Sequence, residues 1–240
     1  MTAPQPGRFS ALLFDLDGTL VHSLPDIAGA LNSLLADLEL PAVPYEDVRL
    51  MIGDGIPALV SRALAAGGKT ADQLPGHLDP GAFDREAITR HFRRHYRARL
   101  TRETRPYPGV VETLERLRAA GWRMAVCTNK AEQPARQILE ELELAAYFEG
   151  LAGGDSYARA KPAAEPLLGL VEDLGHAAEQ AVMVGDSPAD VGAARNAGMP
   201  VVAVSYGYRK VTAAELGADA LIDRFEELPA ALGGLMNGAG

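Results

Sequence analysis

The chain has 240 residues, of which 48% are hydrophobic and 23% charged, and its net charge is −9. This length predicts one or two domains, and the acidic balance argues against a nucleic-acid partner, which needs a basic surface. No segment approaches the roughly 18 apolar residues of a membrane span. The first ten residues lack the apolar stretch of a secretory signal, so we expect a cytoplasmic protein without membrane contact.

The first predicted element is a buried strand over residues 11–14, which are all apolar. It is followed by two carboxylates, Asp15 and Asp17, and then by Gly18 and Thr19, which end the strand. Open α/β sheets bind ligands at the carboxyl ends of their strands. Two neighbouring acids there favour a cation between them. The stretch therefore indicates a Mg²⁺ site, although a solvated turn has a similar composition.

The segment that follows is helical in pattern. Apolar residues recur at helical spacing, and we find no strand pattern between Val21 and Thr104. The predicted helices cover residues 26–40, 47–52, 56–66 and 83–100, with a surface loop over 67–81. Residues 21–105 are therefore predicted to form an all-helical insert. Because the insert begins just after the acid pair, we expect it to act as a lid and to select the substrate.

From Tyr107 onward, strands and helices alternate. Strands are predicted over residues 122–127, 151–152, 181–184, 201–204 and 220–222, and helices over 110–120, 132–144, 166–174 and 189–197. Such alternation implies crossover connections and a parallel sheet. The predicted fold is thus α/β, with a doubly wound parallel core made of residues 1–20 and 106–240. Cys127 ends one of these strands, and we expect it to pack as a small hydrophobic residue.

Polar residues follow four of the predicted strands and serve one chemistry. A carboxylate can attack phosphorus, and a second acid can protonate the leaving oxygen and then activate water. Mg²⁺ held by carboxylates can neutralise phosphoryl charge, while Thr and Lys side chains bind phosphoryl oxygens. The chain offers, in order, Asp15 and Asp17, Thr128 and Asn129, Lys161, and Asp186 with Asp190. This set predicts hydrolysis of a phosphate ester.

Each later member of this set also has a structural interpretation. Thr128 could cap the helix that follows it, and Lys161 could be an exposed loop residue. Asp186 and Asp190 could be a turn acid and a helix acid placed by the helix dipole. The presence of Asp15 at an earlier strand end favours the phosphate site.

Two features of the insert are interpreted as structural. His91 and His95 are spaced as zinc ligands can be, but no third ligand accompanies them in the sequence, so we expect surface or hydrogen-bonded residues. Four arginines on the other side of the same helix are expected to form a solvated face. They are Arg90, Arg93, Arg94 and Arg97.

The strand-end residues together form a recognisable pattern. Residues 15–20, 128–129, 161–162 and 185–190 resemble, in order, the four motifs of the haloacid dehalogenase superfamily of phosphatases. The similarity spans nearly the whole chain, including the helical cap after the first motif. Within the superfamily, the chain most resembles the bacterial phosphatases that act on 2-phosphoglycolate. The segments that carry this closer resemblance are 24–27, 52–55, 153–155 and 204–208.

The resemblance implies a role for each matching residue. Asp15 would be the nucleophile and Asp17 the general acid and then base. Mg²⁺ would be held by Asp15, Asp186 and the main-chain carbonyl of Asp17. The phosphoryl group would be bound by Thr128, Asn129, Lys161 and the backbone at Gly18. Asp190 would hold Lys161 or a metal-bound water, and the cap loop that meets the substrate would be Gly53, Asp54 and Gly55.

The resemblance also implies the partner, a small phosphorylated metabolite, and we expect a monomer or a homodimer. The expected substrate is 2-phosphoglycolate. The alternative functions are hydrolysis of another small phosphate ester, a phosphomutase reaction and non-catalytic sensing of a metabolite. Three departures from the family pattern bear on the choice. His22 stands where Asp is common, Ala163 and Ala164 replace a pair that often contains His, and Asp54 stands where Asn is more usual.

Overall fold

The computed structural model describes residues 3–67, 85–208, 212 and 214–237. The predicted surface loop over 67–81 lies outside these residues except for Gly67. Contacts divide the chain into two compact units, one of Met1–His22 with Arg105–Gly240 and one of Ser23–Thr104. We call the first the core unit and the second the helical unit, and describe each by itself. Among the helices in the described ranges, none has the length and apolar character needed to cross a membrane.

The described strands and helices alternate in the core unit. The strands are β1 (Ala11–Phe14), β2 (Val21–His22), β3 (Arg105–Pro106), β4 (Arg123–Cys127), β5 (Gly150–Ala152), β6 (Ala181–Gly185), β7 (Val201–Val204) and β8 (Ala220–Ile222). The helices are α1 (Leu24–Asp37), α2 (Tyr45–Met51), α3 (Ile56–Ala66), α4 (Arg85–Arg97), α5 (Val110–Ala119), α6 (Glu132–Glu141), α7 (Glu165–Asp173), α8 (Pro188–Ala197) and α9 (Leu228–Asn237). Helices α1 to α4 belong to the helical unit.

Six strands of the core unit form one parallel sheet in the order β5-β4-β1-β6-β7-β8. Strand β1 lies in the middle, and its Leu13 is paired with Ala125 of β4 on one side and Met183 of β6 on the other. Central parallel strands are covered on both faces, which explains their continuous apolar sequences. This register brings the carboxyl ends of β1, β4 and β6 to the same edge of the sheet.

Helices cover both faces of this sheet. Ala11 and Leu13 belong to a buried cluster that includes Leu167 of α7 and Val191 of α8. Side chains alternate along a strand, so Phe14 points to the opposite face. There its ring centroid lies 6.0 Å from those of Phe148 and Phe225. The predicted doubly wound α/β core is therefore confirmed.

The prediction that no strand lies between Val21 and Thr104 was wrong at its first two residues. Val21 and His22 form strand β2, which pairs antiparallel with β3, so both strands belong to the core unit. Two-residue strands carry no period-2 pattern, so no strand could be recognised here from periodicity. The His22 ring lies between two tyrosines, with Nδ1 2.9 Å from the Tyr208 hydroxyl and 3.3 Å from the Tyr107 hydroxyl. Burial lowers the pKa of His22.

The helical unit is organised by the apolar stripe of α4. Its Ile88, Phe92 and Tyr96 are buried. Arg90, Arg93, Arg94 and Arg97 of α4 are exposed, as predicted. Helix α4 packs against α1 and α3, and α2 packs against α1 and α3. The residues of α4 thus divide by helical periodicity into a packed face and a solvated face.

One buried carboxylate fixes the end of the helical unit to its beginning. Asp26 on α1 is fully buried, and its Oδ2 accepts hydrogen bonds from the main-chain N–H of Glu103 at 2.9 Å and of Thr104 at 2.7 Å. The Thr104 hydroxyl donates to the same oxygen at 2.7 Å, and Arg99 Nε lies 3.4 Å from Oδ1. Each carboxylate oxygen therefore has a donor, which satisfies the requirement of a buried charge.

Candidate active site

The strand ends bring four charged side chains of the predicted site together. Lys161 Nζ lies 3.0 Å from Asp15 Oδ1 after β1 and 2.6 Å from Asp190 Oδ1 on α8. It also donates to the carbonyl of Cys127 at the end of β4, at 2.6 Å. Carboxylate oxygens of Asp15, Asp186 and Asp190 all lie within 4.8 Å of one another. The described structure thus places Lys161 inside a cluster of buried acids rather than in an exposed loop.

Asp190 uses both carboxylate oxygens for hydrogen bonds within the core unit. Its Oδ1 faces Lys161. Its Oδ2 accepts from the main-chain N–H groups of Asp186 at 3.1 Å and Ser187 at 2.9 Å, and from the Ser187 hydroxyl at 2.7 Å. Ser187 and Asp190 form a capping box at the start of α8. Asp190 therefore orients Lys161 and shapes the turn that carries Asp186.

Asp186 is held by the loop after β7. Its Oδ2 accepts from the main-chain N–H of Tyr208 at 2.5 Å, and the Thr19 hydroxyl lies 3.4 Å from its Oδ1. Two glycines permit this approach. A Cβ on Gly18, which has φ of +90°, would lie 2.6 Å from Asp186 Oδ2, and a Cβ on Gly207 would also collide with this side chain. The carboxylate of Asp186 is thus packed directly against backbone.

The acids of this cluster resist ionisation in the absence of a further cation. Burial raises the pKa of Asp15 to about 6; Lys161 opposes this rise, while Asp190 and Asp17 add to it. Burial, with repulsion from Asp15 and Asp190, also raises the pKa of Asp186 well above its ordinary value. Burial alone would lower the pKa of Lys161, but Asp15 and Asp190 outweigh it and raise that pKa.

The charges of the site fit a divalent cation. The site holds four carboxylates and two ammonium groups, those of Asp15, Asp17, Asp186, Asp190, Lys130 and Lys161. With all six ionised, a net charge of −2 remains, and Asp15 and Asp186 carry the raised pKa values. Hard oxygen donors of this kind suit Mg²⁺, and a bound cation would reverse the rise in both pKa values. The donor set is therefore chemically suited to the metal predicted from the sequence.

The end of β4 adds three more polar residues. Thr128 is buried, and its hydroxyl accepts from the main-chain N–H of Lys130 at 3.2 Å. The N-cap residue of α6 is Ala131, so Thr128 does not cap that helix. The Asn129 amide donates to the main-chain carbonyl of Lys161 at 3.0 Å. These contacts tie the loop after β4 to the loop that carries Lys161.

Lys130 is a site residue that the sequence prediction missed. Its Nζ lies 2.7 Å from Asp17 Oδ2, and its side chain is only 5% exposed. An ammonium and a carboxylate at this distance form a charge-assisted hydrogen bond, which fixes the positions of both side chains. The available signal was its position two residues after Thr128, at the same strand end.

The remaining predicted residues are Cys127, which ends β4, and the loop of residues 53–55 in the helical unit. Cys127 is buried, and burial raises the pKa of its thiol to about 12, so it packs as a small hydrophobic residue, as predicted. In the helical unit, Gly53 and Gly55 have φ of +117° and +81°, which favour glycine. Asp54 between them forms an ion pair with Arg62. The acid at position 54 is therefore neutralised within its own unit.

The chain is similar to known proteins over most of its length. Residues 12–204 match the family model of haloacid dehalogenase-like hydrolases. The chain is 46% identical over 224 residues to a phosphoglycolate phosphatase of Cupriavidus necator, covering 93% of each chain. It is 45% identical over 218 residues to the phosphoglycolate phosphatase of Rhodospirillum rubrum, covering 91% of this chain and 88% of the relative.

A solved structure shows the same fold. The crystal structure of a predicted phosphoglycolate phosphatase from Haemophilus somnus matches with a TM-score of 0.86 and 35% identity. The match covers 94% of this chain and 99% of the other. The likeness therefore includes both the core unit and the helical unit.

Proposed function

The chain belongs to the haloacid dehalogenase-like hydrolase family and is a phosphatase, and from this premise we propose that it hydrolyses small phosphate monoesters through an aspartyl phosphate on Asp15. We propose 2-phosphoglycolate as the substrate, because the relatives of 45% and 46% identity bear the name phosphoglycolate phosphatase. The partner of the site is thus a small phosphorylated metabolite.

The observation that carries this proposal is the position of Asp15. Its carboxylate ends the central strand, 3.0 Å from the Lys161 ammonium and within 4.8 Å of Asp186. A nucleophilic carboxylate must be ionised, and an adjacent ammonium favours the ionised form. The same ammonium can attract the phosphoryl group toward the carboxylate. The proposed nucleophile, Asp15, and the proposed anion-binding group, Lys161, therefore lie side by side at the end of β1.

The Mg²⁺ that the family implies would be held by Asp15, Asp186 and the main-chain carbonyl of Asp17. When bound, it supplies positive charge that neutralises the acids and the phosphoryl oxygens. Asp190 takes no direct part in holding it, because its oxygens are engaged by Lys161, Asp186 and Ser187. The capping box at α8 instead keeps Asp186 in place.

In the first half of the reaction, a carboxylate oxygen of Asp15 attacks phosphorus. A bond forms between that oxygen and phosphorus, and the bond from phosphorus to the ester oxygen breaks. The electron pair of the broken bond remains on the leaving oxygen, which takes a proton from the Asp17 carboxyl group. The product alcohol leaves, with the phosphoryl group on Asp15.

In the second half, the Asp17 carboxylate takes a proton from water, and the water oxygen attacks phosphorus. The bond between phosphorus and Asp15 breaks, its electron pair returns to the carboxylate, and inorganic phosphate leaves. Lys130, 2.7 Å from Asp17, positions this carboxylate for the proton transfer.

The phosphoryl oxygens are bound by groups from three loops. Thr128 offers its hydroxyl, Lys161 its ammonium and Gly18 its backbone, and Asn129 supports the loop of Lys161. Charge spreads over these oxygens in the transition state, so fixed donors there stabilise it more than the ground state.

We propose that the helical unit selects the leaving group and restricts access of water to the site. The chain enters and leaves this unit through the paired strands β2 and β3. Gly53, Asp54 and Gly55 are the loop that would meet the substrate. Because Asp54 is paired with Arg62, it does not present an uncompensated negative charge to an anionic substrate.

The role of Asp17 can be tested by the variant Asp17→Asn. We expect kcat to fall by about 10²- to 10⁴-fold, because the proton donor and acceptor is lost, while Mg²⁺ binding measured by calorimetry is retained, because the proposed metal contact is a main-chain oxygen. Asp173→Asn, on an exposed position of α7, is the matched control and should retain full turnover. Loss of Mg²⁺ binding in Asp17→Asn would overturn the assignment.

The substrate can be tested by phosphate release over a panel that contains 2-phosphoglycolate, sugar phosphates and pyrophosphate, with Mg²⁺ and with a chelator. We expect the highest kcat/KM for 2-phosphoglycolate and no release in chelator. A preference of tenfold or more for another ester, about 1.4 kcal/mol in transition-state binding, would exclude this substrate and keep the phosphatase mechanism. Release of phosphate from none of these would overturn the proposed chemistry.

A further inference from the structure

We propose that Asp37, His91 and His95 form a binding site for a divalent transition metal of the Zn²⁺ class in the helical unit. The two histidines come from α4, and the carboxylate comes from the last residue of α1. All three residues belong to the helical unit, whereas the residues proposed for the phosphatase chemistry belong to the core unit.

The ligand atoms already converge on one point. Nε2 of His91 and Nε2 of His95 each lie 2.8 Å from the same oxygen, Oδ2 of Asp37. Donor atoms of all three residues lie within 4.8 Å of one another. Tetrahedral zinc sites have bonds of about 2.0–2.2 Å to nitrogen and oxygen, which requires donors about this close together. Small side-chain rotations would therefore bring all three to one ion.

The helices make this arrangement persistent. His91 and His95 are one turn apart on α4, so they project from the same face, and their rings stack with centroids 5.2 Å apart. Helix α1 packs along α4 and brings Asp37 to that face. The third ligand is 54 residues away from His91, which is why the sequence interpretation did not find it. A bound metal would cross-link the two helices.

The donor set selects the class of metal. Two imidazoles and one carboxylate suit Zn²⁺, Ni²⁺, Co²⁺ or Cu²⁺, whereas Mg²⁺ prefers oxygen donors. The side chains of His91, His95 and Asp37 are 25%, 28% and 46% exposed. Ions and water can therefore reach the donors, and water can complete the coordination.

Binding exchanges hydrogen bonds for metal bonds. Without metal, each Nε2–H can donate to Asp37 Oδ2; with metal, each Nε2 lone pair binds the ion and its ring proton moves to Nδ1. No oxidant or reductant is needed. The exposed arginines of α4 repel cations through solvent, so titrations are best made at moderate salt, where the Debye length is about 10 Å or less.

The test is calorimetric titration of the full-length protein with Zn²⁺ in the presence of saturating Mg²⁺, added to fill the proposed core site. We expect one equivalent of Zn²⁺ to bind to the parent protein and to His176→Gln, the matched control on a part-buried histidine of the core unit. His91→Gln and His95→Gln should each weaken binding by about tenfold or more, because one of three ligands is lost. Equal Zn²⁺ affinity in all four proteins would overturn the proposal.

A spectroscopic measurement keeps the test decisive if one variant folds poorly. Co²⁺ bound to the parent should give visible absorption bands typical of histidine ligation, and Zn²⁺ should remove them by competition. The bands should be absent in Asp37→Ala and in His95→Gln whose circular dichroism matches that of the parent. Bands that persist unchanged in both folded variants would assign the metal elsewhere and contradict the site.

Discussion

Two buried aspartates, one in each unit, are held in opposite ways. Asp26 in the helical unit has four donors around its two oxygens, and one of them is the charged side chain of Arg99. Asp15 in the core unit has Lys161, but it also faces Asp17, Asp186 and Asp190, and its pKa is raised to about 6. The hydrogen bonds that the Asp26 carboxylate needs are all supplied within the helical unit, whereas the Asp15 carboxylate lies among more negative than positive groups.

The difference separates a structural acid from a functional one. A buried carboxylate that receives enough hydrogen bonds stabilises the geometry around it, and removing it leaves buried donors unpaired. A buried carboxylate among other carboxylates costs stability, and it becomes favourable only when a cation or a substrate is present. Burial alone therefore does not identify an active-site acid; the identity of its neighbours does.

The largest effect should come from Asp15→Asn. Without the nucleophile we expect kcat to fall by about 10⁴-fold or more, measured as phosphate release from the best substrate. The free energy of unfolding in chelator at neutral pH should not decrease, because a charge is removed from an excess of like charges. Chemical denaturation of this variant beside the parent measures that quantity. Turnover at the parent rate would refute the assignment of Asp15.

Asp26→Asn should show the reverse pattern. The amide cannot accept from all the donors that meet Asp26, so we expect the free energy of unfolding to fall by about 3 kcal/mol. Urea denaturation followed by circular dichroism measures the change, with Asp173→Asn as the exposed control. A variant as stable as the parent would show that the hydrogen bonds of Asp26 contribute little, and the contrast with Asp15 would fail.

The free energy of unfolding should depend on pH through the ionisation of Asp15. Its pKa is about 6 in the folded protein and 3.8 ordinarily, so the folded state binds this proton more tightly. The resulting stabilisation is complete below pH about 4 and is lost as pH rises through about 6, a change of up to about 3 kcal/mol. Denaturation in chelator should show this fall relative to Asp15→Asn.

Added Mg²⁺ should abolish the same fall, because the cation stabilises the ionised carboxylates. If the free energy of unfolding depended on pH in the same way for the parent and Asp15→Asn in chelator, Asp15 would ionise normally in the folded state.

The smallest effect should come from Lys130→Met. The change removes the ammonium from Asp17 and keeps a similar apolar stem, so we expect kcat to fall by about tenfold, with Mg²⁺ affinity nearly unchanged. Steady-state kinetics with Lys130→Arg as the charge-retaining control measures this. An unchanged kcat in Lys130→Met would show that the ion pair with Asp17 has no part in turnover.

The sequence predicted most of the sheet because its central strands are continuous apolar runs that end in polar residues. β1, β4 and β6 could be located in this way, and with them Asp15, Thr128 and Asp186. Strands β2 and β3 could not, since two residues show no periodicity. Helix α9 was not predicted at all, and its two glycines, Gly233 and Gly234, weaken a helical signal.

The unpredicted parts of the sites depend on contacts between distant residues. Lys130 is assigned to the core site because it contacts Asp17, 113 residues earlier. Asp37 is assigned to the metal site because it contacts His91, 54 residues later. Periodicity reports on neighbours one or two turns away, whereas such pairs are set by how the elements pack. The strand-end rule located the core site because the carboxyl ends of parallel strands converge whatever the loops contain.

The most direct test of the central proposal is to trap the covalent intermediate. The protein is mixed with substrate and Mg²⁺, quenched during turnover and treated with borohydride, which reduces an aspartyl phosphate to homoserine. Peptide mass spectrometry then reads the modified position. We predict homoserine at Asp15 in the parent and none in Asp15→Asn. Modification at another aspartate, or none in a protein quenched during turnover, would contradict the proposed nucleophile.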